Sequence, residues 1–168
     1  MSAGTARAES LHTRKGERVT YIYRNAVPDD AVACVAIRGR TRENAISVAR
    51  LMAMGITVDS WRGGIDDGSF PGHVCLHADE IIGYCFGAAH TGEIVVLALL
   101  PDHEGRGLGR VLLNKVVEDF KRIGHRRLFL GCSPDPAVRS YGFYRHEGWT
   151  STGTLDSAGD EVLECFIA

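Results

Sequence analysis

Five consecutive residues, Gly105-Arg106-Gly107-Leu108-Gly109, hold the chain's clearest chemistry. Glycines let a backbone approach a bulky anion and turn several N–H groups toward it. Behind them Leu108, Leu112, Val116, Phe120 and Ile123 recur at helical spacing, with Val111 and Val117 widening the stripe. The loop therefore opens a helix, whose first N–H groups lack partners and whose macrodipole places partial positive charge there. Such an arrangement is a phosphate cradle. It is not a dinucleotide fingerprint, because Gly-x-Gly-x-x-Gly counted from Gly105 ends on Arg110. The next strand also ends without an acidic residue for a ribose. A Walker loop is excluded too, since no Gly-Lys-Ser/Thr follows. The plainer alternative is a tight strand-to-helix turn that holds no ligand.

The elements that must position this loop can be read around it. Residues 94–100 form an apolar run without polar alternation, which predicts a strand buried on both faces. Pro101 stops that strand, and Gly124 stops the helix. Earlier, residues 19–24 alternate as a first strand, and Pro28-Asp29-Asp30 opens a helix with Ala31, Val32, Cys34, Val35 and Ala36 on its apolar side. A second helix is predicted over 42–54, ended by Gly55, followed by a loop over 61–68. Residues 72–77, 81–89 and 93–100 read as an antiparallel meander. Residues 127–132 supply the next buried strand, completing a strand–helix–strand crossover. A helix around 138–146 precedes strands at 150–155 and 162–167, which turn at 156–160.

Composition narrows the function classes. At 168 residues the chain is large enough for a real core, and its 45% apolar and 24% charged content is ordinary for a soluble globular protein. We read residues 1–18 as a flexible leader and 19–168 as one domain. The formal charge of −2 gives no reason to expect nucleic acid as a partner. Cys34, Cys75, Cys85, Cys132 and Cys165 contain no C-x-x-C pair and sit among apolar neighbours. Reduced cytoplasmic thiols fit better than disulfides or zinc ligands, so no metal is expected. No apolar run has membrane-spanning length, and the N-terminus lacks the apolar core of a secretory signal.

Downstream of the glycine loop stand Ser133-Pro134-Asp135-Pro136 and Tyr144-Arg145-His146-Glu147-Gly148-Trp149. Together with the loop they resemble the GNAT superfamily of acetyl-CoA-dependent N-acetyltransferases. That superfamily carries a pyrophosphate motif, Gln/Arg-x-x-Gly-x-Gly/Ala, and a later Tyr-x-x-x-Gly-Phe. Here they read Glu104-Gly105-Arg106-Gly107-Leu108-Gly109 and Tyr144-x-x-x-Gly148-Trp149, with Glu in the first position and Trp for Phe. The resemblance extends in element order from Val19 to the C-terminus. It implies a mixed α/β (α+β) fold with a mostly antiparallel central sheet of six to seven strands and helices on both faces. Two central parallel strands are splayed, and the pantetheine arm lies between them.

The resemblance also implies the roles. Amide formation needs a route for the amine's proton, a stabilised oxyanion and a proton for the departing thiolate. Tyr144 matches the tyrosine near the sulfur and is the general-acid candidate, with Tyr141 a neighbouring competitor. Glu93 resembles the catalytic glutamate of the histone-acetyltransferase branch, and its base role competes with His90 and with ordered water. The N–H groups of Gly105, Arg106, Gly107, Leu108, Gly109 and Arg110 would hold the pyrophosphate, with Glu104 in the motif's first position. Leu97 and Leu99 would pair with pantetheine through their backbones. Arg106, Arg110 and Arg139 are candidates for the adenosine phosphates, and Ser133 stands where relatives often have Asn. Trp61, Asp66 and Asp67 fall where an acceptor amine usually binds, since carboxylates attract a cation and an aromatic face can hold one. The implied partner is a small-molecule or peptide amine, with a homodimer left open. One rival is a catalytically weak CoA-binding regulatory protein on the same fold. Another is an unrelated phosphate-binding α/β protein.

Overall fold

The apolar stripe behind the glycine loop forms α4 (Leu108–Ile123), which ends at Gly124 in the left-handed conformation. The computed structural model of the chain, which describes residues 7–12 and 18–168, lays this helix on an eight-stranded sheet. Leu108, Leu112, Leu113, Val116 and Phe120 bury against Tyr21, Cys75, Cys85 and Ile94. Each such side chain contributes about 1.5–3 kcal/mol on leaving water. Gly87 makes room for the contact, because a Cβ there would lie 2.4 Å from Phe120 Cζ. Ile123, the last of the stripe, is instead 52% exposed at the final turn.

Across the sheet run β1 (Arg7–His12), β2 (Arg18–Asn25), β3 (Gly72–His77), β4 (Glu80–Ala88), β5 (Glu93–Leu99), β6 (Arg127–Cys132), β8 (Glu161–Phe166) and β7 (Thr150–Leu155). Neighbours are antiparallel except β5 and β6. Those two parallel strands register only at Glu93↔Phe129 and then part, as the expected splay requires. The strand count exceeds the expected six to seven because β1 pairs along β2, from Arg7↔Tyr23 to His12↔Arg18. An edge strand offers a row of unpaired backbone groups, and β1 satisfies those of β2. The remainder of the leader, residues 1–6 and 13–17, lies outside the described residues.

On the opposite face a second cluster joins α1 (Ala31–Arg38), Leu51 and Trp61 to Val74, Tyr84, Phe86 and Ala98. Strand alternation divides the faces, with Cys75 and Cys85 under α4 and Val74, Tyr84 and Phe86 under α1. The Tyr84 hydroxyl donates to the Cys34 carbonyl at 3.0 Å, satisfying a buried phenol. All five cysteines are free, four of them buried. Among the described residues no helix is long and apolar enough to cross a membrane.

Three expectations change. The second helix is only α2 (Val48–Ala53), capped by the Ser47 hydroxyl accepting from Arg50 N–H. Ahead of it the Ile46 N–H bonds to the Arg38 carbonyl and Asn44 adopts φ 55°, so local bonds displace the helix over 42–47. Conversely, the loop predicted over 61–68 is the helix α3 (Val58–Asp67). Thr57 and Ser60 form a capping box at its start, and burial of Trp61 outweighs the cost of Gly63 and Gly64 at about 1 kcal/mol each. Gly64 is needed where it stands, because a Cβ there would sit 2.7 Å from Phe70 Cβ. Finally, β5 is not buried on both faces, since Val95 is 47% exposed. The β4–β5 register slips between Phe86↔Val96 and Gly87↔Ile94, leaving Val95 as the extra residue of a β-bulge.

Candidate active site

The parting of β5 from β6 makes a V whose apex is Glu93↔Phe129. Its mouth lies between the loop after β5 and the loop leading from β6 into α5 (Arg139–His146). Six residue steps of strand separate Glu93 from Leu99, about 20 Å at ~3.3 Å per residue. Val95 to Leu99 have no register partner on β6, so the backbone of Leu97 and Leu99 borders the gap.

At the mouth, a 3-10 turn over Pro101–His103 delivers the glycine loop. The Tyr21 hydroxyl lies 2.9 Å from His103 Nδ1 and anchors that turn to β2. Gly105 and Gly107 have φ of 73° and 79°, with no heavy atom within 4 Å of an added Cβ. The loop is thus left-handed and open on that side, which suits close approach of an anion. Among the described residues no amide from Gly105 to Arg110 donates to a backbone acceptor, and the first that does belongs to Val111, bonded to the Gly107 carbonyl. Leu108 and Gly109 are themselves buried, Gly109 beside Leu99 and Phe143.

The charged candidates separate. Glu104, in the first motif position, accepts from Arg42 Nε at 2.9 Å and from Arg139 Nη1 at 2.8 Å. The Arg139 N–H in turn donates to Glu43 at 3.1 Å, so the segment between α1 and α2 is strapped to both sides of the mouth. Arg110 lies 3.3 Å from Glu147. Of the three arginines named for the phosphates, only the half-buried Arg106 faces no carboxylate at ion-pair distance among the described residues. Ser133 Oγ accepts from Asp135 N–H and is committed to its own turn. Arg42 was missed by sequence reasoning, because nothing in its neighbourhood signals a partner 62 positions away.

On α5, Tyr144 is buried, edge-on to Phe143 and Trp149. Burial pushes its phenol well above the usual value, reinforced by the thiols of Cys85 and Cys132. Tyr144 belongs to the apolar cluster that also holds Cys85 and Cys132, and Leu97 packs against that cluster. Tyr141, its competitor, lies under the Arg145 guanidinium at 3.6 Å. Glu93 is half-buried at the apex, and burial, followed by the charge of Asp156, raises its carboxyl above the usual range. Four residue steps, about 13 Å of strand, separate Glu93 from Leu97. His90 is exposed in the turn before β5. Asp156 had no sequence signal, since only the β7–β8 hairpin returns it to Gly131, where its Oδ2 would lie 2.6 Å from an added Cβ.

Beyond β5, on the α1–α3 side, the Val95 bulge opens into a cleft of about 490 Å³. Trp61 lines it but is 5% exposed, with its ring against Phe70, Tyr84 and Phe86. It forms a wall of the cleft and offers no open face to a cation. Asp66 and Asp67 do not line the cleft and are exposed at the far end of α3. Asp67 is held below the usual carboxylate range by hydrogen bonds from Ser69, whose N–H it accepts at 2.8 Å. The sequence set these acids beside Trp61, but the helical turn carries them away from it.

Comparison with known proteins agrees with this layout. A family model described as "Acetyltransferase (GNAT) family" matches residues 49–149. A mycothiol acetyltransferase of Nocardiopsis dassonvillei is 34% identical over an alignment covering 60% of this chain and 32% of that protein. This chain therefore spans about a third of that relative's length. The crystal structure of PaiA N-acetyltransferase from Thermoplasma acidophilum in complex with coenzyme A superposes with a TM-score of 0.75 at 16% identity, covering 88% of this chain and 99% of that one. The GNAT domain of S. lividans PAT gives a TM-score of 0.72 at 20% identity, covering 95% and 97%. At these identities the two structures establish the shared fold.

Proposed function

We propose that this chain, which belongs to the acetyltransferase (GNAT) family, moves an acetyl group from acetyl-CoA to an amine by direct attack in a ternary complex. The observation that carries the reading is the V itself, with a left-handed glycine loop at its mouth, Glu93 at its apex and Tyr144 in the cluster against which Leu97 packs. A backbone edge without a sheet partner runs the length between them. We assign the activity to residues 19–168. The free thiols favour a reducing setting, and we place the protein in the cytoplasm.

In this reading the amides of Gly105 to Arg110 grip the pyrophosphate, since they have no backbone acceptor of their own and lie at a helix N-terminus. Arg106 supplies a cation beside them. Leu97 and Leu99 hold the pantetheine arm as a strand would, which fixes the thioester near Tyr144. The Tyr144 phenol stays protonated at every working pH and donates its proton as the thiolate departs. Glu93, its carboxyl raised by burial and by the charge of Asp156, takes the proton of the incoming ammonium through ordered water, because about 13 Å of strand separates it from Leu97. Tyr144 and the raised Glu93 carboxyl weigh against the catalytically weak CoA-binding alternative. Steady-state release of CoA thiol with a panel of amines tests the reading. CoA binding without turnover on any amine would favour that alternative.

A further inference from the structure

The cleft beyond β5 carries one feature that acetyl transfer as such does not require. Its lining is apolar along Ile46, Leu51, Met54, Ile56, Phe70 and Val95, and Arg38 is the single charged residue in it. Arg38 is half-buried at the end of α1 and faces no carboxylate at ion-pair distance among the described residues. One of its N–H groups donates to the Asn44 carbonyl, and a guanidinium has five. A partly buried cation is costly unless something anionic meets it. No carboxylate lines this cleft, so no wall of it is built to attract a cation.

Acid groups gather at the other end. Alternation along β5 puts Glu93 on the face opposite Ile94, which is the face of the cleft. Burial and, after it, the charge of Asp156 raise the carboxyls of Glu93 and Asp160, and Asp156 and Asp160 both stand against Gly131 of β6. Glu93 thus stands at one end of the strand whose Val95 and Val96 line the cleft together with Arg38.

Resting on the acetyl-transfer reading, we propose that the acceptor is a small amino acid-type zwitterion. Its carboxylate lies on Arg38, its apolar side chain on the Val95–Phe70 wall, and its ammonium, on the same carbon as the carboxylate, faces the Glu93 end of β5. The ammonium gives one proton toward Glu93 and the amine attacks the thioester carbonyl; as the C–N bond forms and the C–S bond breaks, the thiolate takes the Tyr144 proton and the second proton of the nitrogen returns to the phenolate, leaving the amide. The cleft volume of about 490 Å³ suits a small molecule of this kind.

The test compares leucine, methionine and phenylalanine with their carboxamides and with spermidine, measuring CoA thiol release at saturating acetyl-CoA. The amino acids should show a KM lower than their amides by about 10-fold or more, as a charge-assisted guanidinium–carboxylate pair implies. Arg38→Met should remove that preference by raising the KM of the acids alone, and Arg38→Lys should restore part of it. Equal use of acids and amides, preference for spermidine, or an Arg38→Met effect shared equally by acid and amide would overturn the inference while leaving acetyl transfer intact. Failure of every amine, with CoA still bound in calorimetry, would remove the acetyl-transfer reading and this inference with it.

Discussion

Replacing Gly107 by valine separates a backbone cradle from a side-chain one. Gly107 holds φ 79°, and an added Cβ would meet no heavy atom of the protein within 4 Å. The variant therefore folds, and its cost is the left-handed backbone, about 1–2 kcal/mol for a residue with a Cβ and more for a β-branched one. If the loop keeps its shape, thermal unfolding of the free protein should shift down by roughly 2–8 °C, at ~2–4 °C per kcal/mol for a chain of this size. If the loop relaxes, the amides of Gly105 to Arg110 no longer converge, and CoA affinity should fall ~10-fold or more as tenfold corresponds to 1.4 kcal/mol. Arg106→Ala removes a half-buried cation with no ion-pair partner among the described residues, worth about 0–1 kcal/mol, or at most a few-fold in affinity. Calorimetric titration of both variants with CoA decides the matter. Equal losses, or a Gly107→Val protein that binds CoA within about threefold of wild type, would refute the backbone cradle.

Tyr144→Phe should lower kcat by ~100-fold, the scale of general acid catalysis, with the acetyl-CoA KM little changed. Because the phenol is raised above its usual value, wild-type activity should show no alkaline fall from Tyr144 below pH ~10. A Glu93 base must be ionised, so activity should rise with pH through its raised pKa, and Glu93→Gln should abolish that acid limb in a kcat/KM profile. Asp156→Asn removes a charge that lifts Glu93, so the limb should move to lower pH; an unmoved limb would separate the two groups. Thr57→Ala deletes the cap of α3 and should cost about 1 kcal/mol in denaturant unfolding, while loss of no stability would mean that Trp61 burial alone holds the helix.

Much of this protein was legible in its sequence because the signals were local. The stripe from Leu108 to Phe120 and the stop at Gly124 follow from helical period and glycine chemistry, and the structure places both as read. The spacing of glycines after an apolar run pointed to the loop at the mouth of the V, since backbone conformation there depends on residue type alone. Short-range reading failed where long-range contacts outweigh propensity. Two glycines made α3 look like a loop, although the Thr57–Ser60 capping box was present in the sequence to be found. Residues 42–47 lost their helix to local bonds, while Arg42 and Glu43 reach across to Glu104 and Arg139. The Val95 bulge depends on the register of β4 against β5, which no single strand encodes. The charge on Glu93 is tuned by Asp156, and Arg38 gains its meaning from a cleft assembled by α1, α2, α3 and β5. Residue types and spacing decided which groups the chain could offer to chemistry. Tertiary structure decided which of them share a cavity, because burial and charge proximity are properties of several chain segments at once.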